Sequence, residues 1–146
     1  MKPQILAKPV PESRRLAALR AAFRSPLVCS LVETSAFNIL ARLSVASNEF
    51  DSVYRGGYWE YVRLSNDGFF MYPTADAQYR LFCDGNGACE VLQAQHAGIV
   101  ATLFSLSGMA MRYPNQEVLA ERYHQLLDYV DTLPARDRDA IKRLCD

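Results

Sequence analysis

The fold of this chain is decided by residues 56–73, which read GGYWEYVRLSNDGFFMYP and include its only tryptophan. Two aromatic-rich runs, at 58–64 and 69–72, flank the polar segment SNDG. An Asp-Gly pair between two such runs is a strong local signal for a β-hairpin, because Asp tolerates a positive φ and Gly adopts it without steric cost. We therefore predict two antiparallel strands that turn at Asp67 and Gly68.

A second pair of strands is predicted downstream, at 79–83 and 88–92, where the segment DGNG supplies another tight turn. Short turns between consecutive strands indicate an antiparallel meander of three or four strands. Helical periodicity predicts helices at residues 12–24, 30–47, 93–111, 115–131 and 135–144. The chain is therefore predicted to be a single α+β domain in which N-terminal and C-terminal helices flank the meander.

The N-terminal part allows more detailed predictions. Residues 1–11 hold three prolines, each of which removes an amide donor, so we expect an extended arm before a domain at 12–146. Leu16, Leu19 and Phe23 recur at helical spacing and predict the buried side of the first helix. Near the other end of the chain, the side chain of Asn115 is predicted to cap the fourth helix.

The charge balance limits the classes of function. Lys and Arg total 16 and Asp and Glu total 16, so the chain is neutral. Duplex DNA carries about one charge per 1.7 Å of axis, and a neutral chain cannot imitate that density. Imitation of DNA by an array of carboxylates is therefore disfavoured, and so is bulk attraction to nucleic acid. The first 50 residues hold an excess of basic residues, and we expect those arginines to pair with carboxylates of the remainder.

The sequence also indicates a location. No signal peptide is evident at the N-terminus, where lysines and prolines stand in place of an apolar run. The longest uncharged apolar stretch, 97–111, is shorter than the roughly 20 residues needed to cross a bilayer. Four cysteines without close pairing favour reduced thiols. We therefore expect a cytoplasmic protein.

The hairpin segment resembles a known family signature. Its blocks GGYWEY, LSN and GFFM are similar to those of the antirestriction proteins of plasmids and other mobile elements, the KlcA/ArdB type. Further blocks agree in the same order: VPE at 10–12, DGNG at 84–87, AGIVA at 97–101 and RYHQL at 122–126. The resemblance implies a small non-enzymatic protein without a cofactor, which protects incoming DNA by antagonising the host's type I restriction system, directly or indirectly.

The chain departs from the family pattern immediately before Gly98. The family's ADAAG reads AQHAG at 94–98, so Gln95 stands where the pattern has an acid. We expect the fold to tolerate this change, because Gln can occupy an exposed or capping position. Activity or target range would change if the missing acid contributes to it.

The candidate interaction surface is centred on the hairpin. Trp and Tyr are enriched at binding hot spots, which favours the aromatic strand beside the turn, and the RYHQL block adds a second pair of residues. Aromatic residues in strands more often simply pack within the sheet, and for these rings packing is the better supported of the two interpretations. The residues predicted to form the surface are Trp59, Tyr61, Asn66, Asp67, Tyr123 and His124.

Other functions are less well supported. Metal binding is disfavoured, because the chain has no C-x-x-C pair and its Cys and His spacings match no common zinc pattern. The residues weighed for a metal are Cys83, Cys89, His96 and His124. One alternative function is a small cysteine hydrolase that uses Cys89 or Cys29, although the sequence shows neither an adjacent base nor a lowered thiol pKa.

A nucleic-acid binding module is the other alternative, since bases stack on aromatic strands. RNA-binding strands carry Lys or Arg before the glycine that precedes their aromatic residues, whereas this chain has Asp67 there. We therefore expect no strong nucleic-acid binding, no catalytic residue, no metal and no cofactor.

Overall fold

The computed structural model describes residues 4–46 and 53–146. The α+β class is confirmed, and helices come both before and after the four predicted strands in the chain. Residues 48–55 read NEFDSVYR, a composition that predicts a polar loop, and the first five of them lie outside the described residues. In chain order the elements are β1 (Ala7–Pro9), a 3-10 turn (Glu12–Arg14), α1 (Arg15–Phe23), α2 (Pro26–Leu43), β2 (Trp59–Leu64), β3 (Phe69–Pro73), β4 (Gln78–Phe82), β5 (Cys89–Gln93), α3 (Ala94–Arg112), α4 (Glu117–Val130) and α5 (Ala135–Cys145).

The predicted hairpin is formed by β2 and β3, which pair antiparallel. Asp67 takes the left-handed conformation, with φ of 72°. Gly68 does not share it; its amide donates to Asn66 Oδ1 at 3.0 Å, and a Cβ at this position would lie 2.9 Å from the same oxygen. Asp67 therefore supplies the backbone conformation of the turn, whereas close packing requires Gly68.

The four predicted strands are all present, and they divide between two sheets. One sheet has the order β1-β2-β3, and β4 pairs with β5 in the other. The outer edge of β3 is closed to a further strand, because Met71 N donates to Thr102 Oγ1 of α3 at 3.3 Å and Pro73 has no amide to donate. The chain must therefore leave the first sheet before β4 begins.

The N-terminal arm contributes a strand that the sequence pattern did not predict. β1 pairs antiparallel with β2, placing Lys8 opposite Arg63. Val10 N then donates to Tyr61 O at 2.8 Å, which extends the contact by one residue. Pro9 is compatible with this pairing because β1 is an edge strand.

Two helix starts differ from the prediction. α2 begins at Pro26 rather than at residue 30, because proline is favourable at the first helical position and Ser25 Oγ accepts a hydrogen bond from the first turn at 3.4 Å. α4 begins at Glu117, one residue too late for Asn115 to be its cap. The predicted capping by Asn115 is therefore wrong.

The buried side of α1 also differs from the prediction. Leu16, expected to be buried, is 59% exposed, whereas Leu19 and Phe23 are buried as expected. The neighbouring Arg15 takes the inward position instead, with its guanidinium 5.2 Å from the ring centre of Tyr61. A cation over an aromatic ring thus replaces an apolar contact in the first turn of the helix.

Helix α3 lies at the centre of the fold, where it contacts α2, α4, α5 and β3. Gly98 makes a close contact with β3, because a Cβ on this residue would collide with Met71 O and with Tyr72. The absence of a side chain at Gly98 therefore lets β3 lie directly on the helix.

Helix α2 is the one described helix with the length and apolar composition to cross a membrane. Core helices of soluble proteins pass the same test, and α2 packs against α1 and α3. Its composition does, however, leave an outward side with few charged residues.

Candidate interaction surface

The tryptophan of the hairpin is part of the core. Trp59 is 3% exposed, and its ring packs edge-on against Phe37 and Tyr54 at centroid distances of 5.1 and 5.6 Å. Its Nε1 donates to Tyr54 Oη at 2.9 Å, so the polar end of the indole also has an internal partner. The prediction that Trp59 is a surface contact is therefore wrong, because α2 and the segment before β2 cover it.

Tyr61 is buried as well and belongs to a polar cluster that ties α1, α2 and β2 together. Its hydroxyl donates to the carboxylate of Glu33, and burial, followed by that carboxylate, raises the pKa of Tyr61. Arg15 lies over Tyr58 at 4.6 Å and pairs with Glu60 at 3.2 Å. Tyr61 is thus a structural residue and not an exposed contact, and Arg15 provides one pairing between the basic N-terminal part and a later carboxylate.

The hairpin turn lies against α4. Asn66 Nδ2 donates to Gln125 O at 2.9 Å, while Asp67 is exposed. His124 precedes Gln125 in the chain and is exposed, and Tyr123 is half-buried with its ring 5.4 Å from the imidazole. The structure therefore brings the turn to the RYHQL block, and these four of the six predicted contact residues retain accessible surface.

Arg122 is a buried arginine that the sequence pattern marked only as part of a block. It is 6% exposed; its Nε donates to Ala22 O at 2.7 Å and its Nη1 donates to Gln125 Oε1 at 2.9 Å. Burial lowers the pKa of Arg122, and the nearby Asp67 opposes this shift. Helical spacing could have indicated its burial, because Arg122 lies on the same side of α4 as the buried Leu119 and Leu126.

The blocks that carry the family resemblance are in contact with one another. Gly98 of AGIVA lies against Met71 of GFFM, and Asn66 of LSN bonds to Gln125 of RYHQL. Asn86 of DGNG donates through Nδ2 to Arg143 O at 3.0 Å, which holds the end of α5. The motif residues thus fix the packing of elements that are distant in the sequence.

Two of the cysteines lie in environments opposite to those of nucleophiles. Burial raises the pKa of Cys29, and burial also raises the pKa of Cys145 to about 12. A reactive thiol requires a lowered pKa and a neighbouring base. Cys89 is exposed and makes no hydrogen bond to a histidine in the part of the chain that the structure describes. Across residues 4–46 and 53–146, no group of three or more His, Cys, Asp or Glu residues could hold a metal.

His96 is the buried titratable group at the start of α3. Its Nε2 lies 3.1 Å from Gln93 Nε2, and its Nδ1 lies 3.7 Å from a carboxylate oxygen of Asp137 on α5. Burial lowers the pKa of His96, and the Asp137 carboxylate only partly offsets this effect. Folding therefore favours the neutral form of the His96 imidazole.

Replacing His96 by Gln is expected to reduce the loss of stability on acidification. The pKa of His96 is lowered in the folded protein from 6.5, so the unfolded chain binds the proton more readily. The contribution of neutral His96 to the free energy of unfolding is therefore present above the pKa of the unfolded chain, and it is lost as the pH falls toward the lower pKa of the folded protein. Urea unfolding on both sides of this window measures it, with His124→Gln on the exposed side of α4 as control. An unchanged pH dependence in His96→Gln would contradict the assignment.

The fold and its contacts define a small α+β domain organised around a covered aromatic hairpin. A family model described as antirestriction protein matches residues 52–146. Antirestriction protein KlcA of Escherichia coli is 37% identical over 126 residues, which span 84% of this chain and 82% of that protein. The uncharacterized protein YfjX of Escherichia coli K12 is 33% identical over 107 residues, 72% of this chain and 68% of that protein.

A solved structure has the same fold as this chain. It covers 100% of this chain and 98% of its own, with a TM-score of 0.84 and 32% sequence identity. It comes from work on the KlcA and ArdB proteins, which show a novel fold and antirestriction activity against type I DNA restriction systems in vivo but not in vitro. The chain belongs to the antirestriction protein family.

The departure at Gln95 lies on the surface. Gln95 is exposed in the first turn of α3, immediately before the buried His96. An acid at this position would interact favourably with the positive end of the helix dipole, and Gln forgoes that interaction without entering the core. The fold therefore accommodates the change.

Proposed function

We propose that this protein antagonises type I restriction in its bacterial host, so that incoming mobile-element DNA survives, and that it does so by binding and without imitating DNA. The observation that carries the proposal is its membership of the antirestriction family over most of its length. The proposed setting is the cytoplasm, where the restriction system meets the DNA.

The placement of carboxylates supports a route other than DNA mimicry. Glu90 accepts a hydrogen bond from Arg143 at 2.6 Å, and Asp131 pairs with Lys142 at 2.5 Å. The acids are therefore interspersed with cations, whereas duplex DNA presents an uninterrupted row of about one charge per 1.7 Å. Such a surface matches the DNA-binding groove of a nuclease poorly.

The behaviour of the relatives supports an indirect or cell-dependent target. The KlcA and ArdB proteins show their activity in vivo but not in vitro. An inhibitor that simply occupied the purified enzyme would act in both settings. We propose that this protein acts on the host restriction system through a complex or step present in the living cell. The turn at Asn66 and Asp67, with Tyr123 and His124, is one proposed contact region.

The proposal is tested by plating unmodified phage on a host with an active type I system, with and without expression of the protein. We expect expression to raise the plating efficiency, because restriction of the incoming DNA is relieved. Phage that already carry the host's modification provide the control, since their plating should not change. Equal plating of unmodified phage in both hosts would overturn the proposal.

A further inference from the structure

A groove between α2 and the end of α3 has the chemistry of a docking site. Its volume is about 260 Å³. Leu31 and Ile39 of α2 and Met109 of α3 give it apolar walls, and Arg42 and Arg112 stand at its rim. All of its lining residues lie within the described part of the chain, and none of them is acidic. The groove thus combines an apolar interior with positive charge.

The two arginines are available to a partner. Both are exposed, and within residues 4–46 and 53–146 neither Arg42 nor Arg112 forms an ion pair. Each lies in the last turn of its helix, where a cation is favourable beside the negative end of the helix dipole. That effect explains each arginine separately. It does not explain why two cations share one groove whose lining contains no carboxylate.

The surface around the groove resembles an interface in composition. Met111, next to Arg112 in the chain, is 83% exposed, and Leu27, one helical turn before Leu31, is 68% exposed. Tyr113 lines the groove itself. Among the charged residues of α2, Glu33 is engaged by Tyr61, which leaves Arg42 as the charge available on the outward side. Arg, Tyr and Met are enriched in interface centres, whereas Glu and Lys are depleted there.

We propose that this groove docks an acidic amphipathic segment of a partner protein. An apolar side chain of that segment enters between Leu31, Ile39 and Met109, while its carboxylates meet Arg42 and Arg112. Guanidinium groups bind carboxylates through paired, charge-assisted hydrogen bonds, and a helix laid in a groove presents apolar and charged residues together. A phosphate backbone would use the arginines but would leave the apolar walls uncovered. The proposal rests on the proposed function and specifies the chemistry of the partner.

Binding is measured on the purified, isotope-labelled protein by NMR. The probe is a short synthetic helical peptide with leucine on one face and glutamate on the other. Its matched control has lysine in place of every glutamate. We expect the acidic peptide to shift resonances of Asn38, Arg42, Arg112 and Tyr113, and the basic peptide to leave them unchanged. Duplex DNA is titrated in parallel, and sedimentation reports self-association.

Two variants test the charge and the shape of the groove separately. The double variant Arg42→Glu with Arg112→Glu is expected to weaken binding of the acidic peptide by at least about tenfold, or 1.4 kcal/mol, and to bind the basic peptide better than the wild type does. Arg14→Glu with Arg20→Glu changes the net charge equally on exposed positions of the chain and should leave binding intact. Thr34→Trp fills the groove without a change of charge and should also weaken binding of the acidic peptide.

Several outcomes would overturn the proposal: no shift at millimolar peptide, equal shifts by both peptides, stronger shifts by duplex DNA, or a dimer formed through these residues. The plating assay adds a separate readout. If the wild type protects, Arg42→Glu with Arg112→Glu should protect less than the Arg14→Glu, Arg20→Glu control, and equal protection overturns the groove as the site of action. If the wild type does not protect, the proposed function fails, and the peptide titration alone decides the docking chemistry.

Discussion

Replacing Gly98 by Ala is expected to lower the free energy of unfolding by about 3 kcal/mol or more. The added Cβ would overlap Met71 O and the backbone of Tyr72, and β3 cannot retreat because its other side is paired with β2. Overpacking usually costs about 1–3 kcal/mol, and a collision with backbone lies at or above the upper end of that range. Urea unfolding followed by circular dichroism measures the loss.

The matched control lies in the same helix. A Cβ added to Gly108 of α3 would meet no neighbouring element within 4 Å in the described part of the chain, so Gly108→Ala should be accommodated without strain. Alanine in a helix is favoured over glycine by roughly 0.5–1 kcal/mol, and this variant should therefore be more stable than the wild type. Destabilisation of similar size in both variants would show that the contact between Gly98 and β3 is not the cause.

Replacing Arg122 by Met is expected to cost about 2–3 kcal/mol, because a buried carbonyl loses a charge-assisted hydrogen bond. Ala22 O accepts from Arg122 Nε at 2.7 Å, and methionine keeps much of the volume without the donor. Arg63 moderates the cost: the positive charge of Arg122 lowers the pKa of Arg63 beyond the effect of burial, and the substitution removes that repulsion. Denaturant unfolding measures the difference.

Arg20→Met supplies the comparison for this prediction. Arg20 is exposed on α1, so the same substitution there should change stability by no more than about 0.5 kcal/mol. A similar small effect at Arg122 would mean that its hydrogen bonds contribute little to the junction of α1 and α4. The two predictions together test whether the family's motif blocks act mainly through packing.

Local sequence signals were sufficient for most of the elements. The hairpin at Asp67, the second pair of strands and the central helix at Ala94–Arg112 were predicted to within one or two residues. Each depends on a turn residue or on a period that is readable in a short window. The start of helix α2 was predicted four residues too late, at residue 30, because a proline usually signals a break between helices, whereas Pro26 begins this one.

Non-local contacts account for what the sequence did not predict. β1 forms by pairing with β2, which lies far along the chain. The division into two sheets depends on the hydrogen bond between Met71 of β3 and Thr102 of α3. The burial of Trp59 likewise requires Phe37 of α2, which no window around the hairpin contains. Periodicity carries no information about such pairings.

The same limit applies to the candidate sites. The sequence was compatible both with an exposed aromatic surface and with rings packed inside the fold, and it favoured packing; the rings of Trp59 and Tyr61 are covered. The groove combines Arg42 and Arg112 from the ends of two helices, and nothing in either local segment indicates that they share a cavity. The helical spacing of Arg122 indicated a buried position. Nothing in the sequence indicated that the backbone carbonyl of Ala22 would accept its hydrogen bond.

Both borders of the three-stranded sheet are unsuited to recruiting another copy of the chain. Pro9 interrupts one border, and on the other Pro73 lacks a donor while the amide of Met71 is already occupied. Open borders with continuous donors and acceptors are a route to insoluble aggregates, and these interruptions obstruct it. The folded sheet therefore offers no continuous border along which further copies of the chain could stack into a fibre.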